Sequence, residues 1–487
     1  MQKIITSLLL LLLTPLAMAQ IYYVDGRTVC CGDLVNNLNN NAGIINPANL
    51  GAVQVKSSSF NMFQVGFNSH SNTLNRAQTL KMFLPFSNDS ISTASRNQIT
   101  DNIVNNNGQL KFNGNMNINW LSLSWTRPKF GGLAISLTER INSHFGLQPD
   151  IANSVVNGAA ASNYQIGTES VQNSQVRYSH LRELSASYGR QAADGDVVKA
   201  YVGGNFRYVW GIGFLDLDVQ DSLATGSSSF SDFYNLDYGN LDTLFKNVTK
   251  IFGNAGTGYN FSVGANIAIK NRLFLGASAL GVGRVKWNKN VLGTDETPVN
   301  YPTATDTSQQ GIPGYSLQDN SAAFYDMFDF TPRGDTSSTP LAKESPSNLR
   351  INVAFRVIDQ LKAYSDILLP LNPKISGQTP NYIFGLDYAI VPEAFYVSAA
   401  MQFNKEFGFR IPVGTAFSLS ERGFISISTG DLRTLLNGGI KEPYAAISIS
   451  LVNANIGGAP VQSYPPTAPP PPPPPPPAPS APMPPGQ

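Results

Sequence analysis

Between Val198 and Phe214 the chain alternates almost without a slip. Val198, Ala200, Val202, Phe206, Tyr208, Trp210, Ile212 and Phe214 take the even positions with Gly204. Lys199, Tyr201, Asn205 and Arg207 share the odd ones with Val209, Gly203, Gly211 and Gly213. Side chains of a strand point alternately to its two faces, so the pattern predicts a β-strand with one apolar, aromatic side and one polar or empty side. Such a segment is far longer than the roughly 5–6 residues of a globular strand. It covers the about 9–11 residues that a tilted strand needs to cross a bilayer.

The same period recurs at approximately residues 53–69, 112–127, 131–142, 173–190, 197–217, 258–270, 272–288, 348–358, 361–370, 380–390, 394–404, 406–417, 422–430 and 443–456, fourteen candidate strands in all. Phe261, Val263, Ala265, Ile267 and Ile269 share a face against Asn260, Ser262, Asn266 and Lys270. Leu349, Ile351, Val353, Phe355 and Val357 stand against Arg350, Asn352 and Arg356. Two segments break the rule. In 112–127 the apolar phase slips from Met116, Ile118 and Trp120 to Leu121, Leu123 and Trp125, which the extra residue of a β-bulge would repair. In 173–190 either register leaves a polar residue toward lipid, His180 and Arg182 in one of them, and the pattern does not choose.

Every second connection is short, as at Pro128-Lys129-Phe130, Ala193-Asp194-Gly195, Asn271, Asp359-Gln360 and Val391-Pro392-Glu393. The others include 70–111, 143–172, 218–257 and 289–347, with a short one at Lys405 as the exception. Tight turns on one side and long loops on the other are the habit of outer-membrane barrels. The expected fold is therefore all-β, a transmembrane antiparallel β-barrel of about fourteen strands over residues 52–457, with both termini periplasmic.

Composition agrees. Charged residues are 13% of the chain, against about 25% in a typical soluble domain. The formal net charge of +1 gives none of the basic excess of a nucleic-acid binder. Met1 to Ala19 reads as a signal peptide, with Lys3, an apolar run and Ala17-Met18-Ala19 before Gln20, so the chain is expected in the outer membrane of a Gram-negative bacterium. Residues 20–51 form an Asn-rich irregular leader. The adjacent Cys30 and Cys31 leave a vicinal disulfide, pairing with another chain and two plain thiols all open. Residues 458–487 make a proline-rich tail without means of forming a core, a disordered or polyproline II spacer or a tether to a periplasmic protein or the cell wall.

Alternation also assigns the lumen. Lys199, Arg207, Arg284, Lys286, Arg350, Arg356 and Arg410 are expected to point inward with Asp366 and Asp387. Such charges form ion-pair ladders that hold a plug, or attract the anionic end of an amphipathic ligand, since guanidinium groups grip carboxylates in a bidentate fork. Phe274, Leu280 and Val282 on the same face could receive an acyl chain or pack on a plug. The three histidines, His70, His144 and His180, fit no metal-ligand spacing, and no nucleophilic triad or phosphate-binding loop is in evidence. No enzyme, cofactor or metal is expected.

Asn46-Pro47-Ala48 stands directly before the first strand of this pattern. In that place it resembles the motif of the FadL-type outer-membrane transport family, and most of all its divergent Bacteroidota members. The resemblance implies that residues 20–51 form a hatch inside the barrel, with Asn46, Pro47 and Ala48 as its motif. It also implies passive transport of small hydrophobic or amphipathic, fatty-acid-like molecules through a plugged lumen surrounded by outer-membrane lipid. Some relatives serve secretion or motility instead, so the alternative is a structural barrel that binds protein partners through its loops and tail.

Overall fold

The computed structural model describes residues 45–52, 57–73, 98, 101–102, 109–149, 151–152, 173–235, 252–299, 328–332, 341–372, 379–391, 395–405, 408–420, 423–429, 431–433 and 444–455. The expected signal peptide, residues 20–44 of the expected hatch with Cys30 and Cys31, and the proline tail lie outside the described residues; only residues 45–51 of that hatch are described. In chain order the strands are β1 (Ser57–Ser71), β2 (Leu110–Arg127), β3 (Gly131–Leu147), β4 (Ser174–Asp194), β5 (Val198–Gln220), β6 (Leu223–Phe230), β7 (Gly256–Ile269), β8 (Leu273–Trp287), β9 (Val291–Pro298) and β10 (Thr331–Pro332). They continue as β11 (Leu341–Glu344), β12 (Asn348–Ile358), β13 (Leu361–Pro370), β14 (Asn381–Val391), β15 (Phe395–Asn404), β16 (Gly408–Arg410), β17 (Val413–Ser420), β18 (Gly423–Thr429) and β19 (Tyr444–Asn455).

All ladders are antiparallel. β1 to β5 pair in sequence order, followed by β5–β7, β7–β8 and β8–β12. From β12 the order runs through β13, β14, β15, β17, β18 and β19, and β19 pairs back on β1. These fourteen strands are the ones the alternation predicts. The other five belong to connections that the pattern leaves as loops or overlap the end of one predicted strand: β6 pairs with the far end of β5 and with β9, β10 pairs with β9, β11 with the end of β8, and β16 with the end of β15.

Burial is inverted relative to a soluble protein. Phe206 is 44% exposed and Val263 61%, whereas Asn119, Asn260 and Arg350 are 0% exposed. An apolar outer wall around a polar interior is the arrangement that lipid outside and polar groups inside require. Beyond the wall, at the rim of the long connections, Phe112, Leu147, Val176, Leu217, Phe328 and Phe330 build a separate buried apolar core.

Three of the bulges among the described strands change the face of the residues that follow in β2, β5 and β8. In β2 the register shifts between Asn119 and Leu121, so Trp120 is the extra residue and the predicted phase slip has its cause. In β5 Ile212 is extra, between Gly211 opposite Leu181 and Gly213 opposite His180. In β8 the pairs Phe261–Val282 and Val263–Ala279 leave two residues, Leu280 and Gly281, opposite one. Gly281 takes φ +70, a left-handed conformation that costs glycine little. This third bulge corrects the lumen assignment: Val282 is 48% exposed on the outer wall, and Arg284 and Lys286 follow it outward.

Candidate functional site: the plugged lumen

The lumen is layered. Nearest the short turns, residues 45–51 lie buried against the inner face of β3, β4, β5 and β7. Pro47 opens the 3-10 turn Pro47–Ala52, where its fixed φ and missing N–H suit the first helical position. Asn46 closes the turn on itself, its Oδ1 accepting from the Ala48 N–H at 3.1 Å and its carbonyl from the Asn49 N–H at 3.0 Å. Its Nδ2 donates to Asn266 Oδ1 at 2.8 Å, while Asn266 Nδ2 donates to Asn49 Oδ1. Ser278 Oγ donates to the Ile45 carbonyl at 3.3 Å.

Space for this turn comes from a row of glycines. Gly132, Gly189, Gly203 and Gly264 stand opposite one another on four adjacent strands. A Cβ on Gly132 would meet the Leu50 carbonyl oxygen at 2.6 Å, and one on Gly203 the Pro47 carbonyl carbon at 2.4 Å. On Gly189 it would meet the Pro47 oxygen at 2.2 Å, and on Gly264 Asn46 Oδ1 at 2.0 Å. The row forms a trough with no side chains of its own, filled by the backbone of Pro47 and Leu50 and by the Asn46 side chain. Sequence alternation marks Gly203 as inward, but not that it lines up with three others.

Above the plug lies an ionic layer. Glu183 pairs with Arg140 and, at 3.3 Å, with Arg207, and accepts from Asn260 Nδ2 at 3.2 Å. Arg207 Nε donates to Asn205 at 2.8 Å. Elsewhere on the inner wall Arg350 grips Asp366 through two bonds of 2.9 Å, and Lys362 meets Asp387 at 3.0 Å. Lys199 and Arg356 lie at the short-turn rim, 3.6 Å from Asp194 and 4.0 Å from Asp359. Arg410 is buried, 2% exposed. Phe274 packs in the same apolar cluster as Ala48 of the plug, and Leu280 is buried. Arg140 and Glu183 do not stand out in the sequence, because β3 and β4 carry charges on both faces.

Nearest the long connections the lumen turns apolar. Leu181, Val209, Phe214, Val285 and Trp287 cluster, with the Phe214 and Trp287 rings 4.7 Å apart. Leu181, Phe214, Val285 and Trp287 floor a pocket open to solvent, rimmed by His144, Arg177, Asp216 and Lys343. Asp216 binds Lys343 at 2.6 Å and Arg177 at 3.0 Å. Burial, with the Arg177 and Lys111 charges, holds His144 down at about 4. Its neighbour Ser143 donates instead to the Gly114 carbonyl at 3.3 Å. Among the described residues no cluster of His, Cys, Asp and Glu could hold a metal.

The register left open in β4 resolves with His180 and Arg182 on the outer face. Glu139 of β3, also outward, accepts from His180 at 2.6 Å, Arg182 at 3.0 Å and Trp120 Nε1 at 2.8 Å. Phe233 sits on the His180 ring at 5.3 Å and Phe252 near the Arg182 guanidinium at 5.8 Å, so both ends of the connection between β6 and β7 cover the cluster.

Similar solved structures include the Pseudomonas putida toluene transporter TodX, 11% identical with a TM-score of 0.39 over 90% of this chain and 99% of that one. A Pseudomonas aeruginosa FadL homologue is 10% identical with a TM-score of 0.42 over 91% and 99%. No curated protein matches the chain. The model of DUF5723, a family of unknown function, matches residues 47–424, from the plug to β18, and the chain belongs to that family.

Proposed function

We propose that this barrel sits in the outer membrane with its long connections outside and both termini periplasmic, and passes small hydrophobic or amphipathic molecules passively through its lumen. The observation that carries the reading is the apolar, aromatic-floored cavity at the long-loop end, with Arg177 and Lys343 on its rim. A fatty-acid-like molecule would rest its chain on Phe214 and Trp287, and its carboxylate would exchange with Asp216 and Asp218 for Arg177 and Lys343. Below it, the ionic layer and the plug stand between the cavity and the far side. The plug is held by amide hydrogen bonds and close packing, so its displacement breaks no ion pair made by Asn46, Pro47 or Ala48.

The test uses the full chain in nanodiscs titrated with oleate and followed by native mass spectrometry. The wild type should bind oleate, and Phe214→Ala with Trp287→Ala should weaken binding by about tenfold through lost apolar contact. No binding by the wild type, or equal binding by the variant, would sink the proposal.

A further inference from the structure

From β3 to β8 the outer wall falls into cross-strand rows. One row is Ile135, Ala186, Phe206, Phe261 and Val282; the next toward the long connections is Leu137, Leu184, Tyr208, Tyr259 and Arg284. The third is Glu139, Arg182, Trp210, Thr257 and Lys286. Each row is two residues along a strand, roughly 7 Å. Across three rows the wall therefore passes from apolar, through aromatic, to charged, the gradient found where hydrocarbon meets headgroups.

Charges at this level fall into two groups. Arg182 is neutralised by Glu139 and lies beneath Phe252. Arg284 and Lys286 are exposed, and among the described residues neither side chain has an ion pair or hydrogen bond. Glu344, opposite Arg284 on β11, receives Asn372 at 3.4 Å instead. The Leu280–Gly281 bulge turns both cations outward; an unbroken alternation would have put them in the lumen.

We propose that Arg284 and Lys286 bind the phosphate of a membrane lipid whose acyl chains lie along Tyr259, Phe261 and Val282. The guanidinium offers two parallel donors to phosphate oxygens and the ammonium a second positive charge. The three apolar side chains below are 41%, 48% and 48% exposed and continue the same wall. A membrane lipid is the occupant that meets both halves at once, since a free anion would use only the cations. The inference depends on the barrel and its bulge and is independent of the transport reading.

The experiment offers the purified full chain equal amounts of phosphatidylglycerol and phosphatidylcholine and counts retained lipid by native mass spectrometry. Wild type should prefer the anionic lipid by about tenfold, the order expected of two cations at a charged headgroup. Arg284→Gln with Lys286→Gln should erase the preference and leave phosphatidylcholine retention unchanged, with heat-modifiable gel mobility confirming an intact barrel. A preference that survives the double substitution, or its absence in wild type, overturns the proposal. Inorganic phosphate retained by wild type and lost in the double variant, with no preference for phosphatidylglycerol in either, would assign the cations to a soluble anion and overturn it equally.

Discussion

Two ion pairs cross the same two strands one residue apart, on opposite faces of the wall. Arg140 and Glu183 face the lumen, and Glu139 and Arg182 face outward. The inner pair draws its further partners from the next strands round the barrel, Arg207 of β5 and Asn260 of β7. The outer pair is completed by Trp120, extra in its bulge, and by rings at the two ends of a connection laid over the wall. An inward charge is thus satisfied by barrel closure, an outward one by an added cover. Polarity in a strand therefore does not by itself say which face a residue takes.

Removing one acid from each pair should separate them most. Glu183→Gln removes the carboxylate that the buried Arg140 and Arg207 share and should cost about 3–5 kcal/mol. Glu139→Gln leaves Arg182 where it can reach water or headgroups as the cover lifts, and should cost about 1–2 kcal/mol. Urea unfolding in vesicles measures both, and equal losses would break the comparison.

Neighbouring glycines sharpen it. A Cβ on Gly203 strikes the plug, whereas on Gly204 the nearest atom is 3.9 Å away. Gly203→Ala should destabilise by about 1–3 kcal/mol through overpacking, or expel the plug and raise conductance in planar bilayers. Gly204→Ala should leave conductance unchanged and stabilise by under about 1 kcal/mol.

The smallest effect concerns pH. His144 lies on the inner face, five residues beyond Glu139 and past the charged row of Glu139, Arg182 and Lys286. Its folded value of about 4 lies below the ordinary 6.5. The unfolded chain therefore takes up the proton first as pH falls. The contribution is fully present above about pH 6.5 and is lost progressively down to about pH 4. Unfolding midpoints across that window should fall less steeply for His144→Gln than for wild type.

Much of the wall was legible because β-periodicity survives wherever large apolar and polar residues alternate. The Trp120 bulge showed as a phase slip between large residues on both sides of it. The Leu280 bulge left no such trace: Gly276, Ala277, Ser278, Ala279, Gly281 and Gly283 carry too little contrast to reveal a change of face. Val282, Arg284 and Lys286 were misplaced for that reason. The cavity at the mouth was hidden because Lys343 arrives on β11, a short strand at the end of a long connection, and because its pairing with β8 is a long-range event. The Asn46 turn was legible as a motif, but its glycine trough exists only once four strands align.

β5 changes partner at its bulge: Val198–Gly211 pairs with β7, and Gly213–Gln220 with β6. The β5–β6 link is Asp221-Ser222, both with positive φ, +50 and +67, the geometry of a tight type I′ hairpin. Such hairpins close within about 1–10 μs, whereas β7 begins only at Gly256, across a longer loop with a greater closure cost. In time, then, β5 is a strand of two ages. Its far half gains β6 beside β4 while the chain is still free, and the near half has β4 alone until β7 arrives on its other edge.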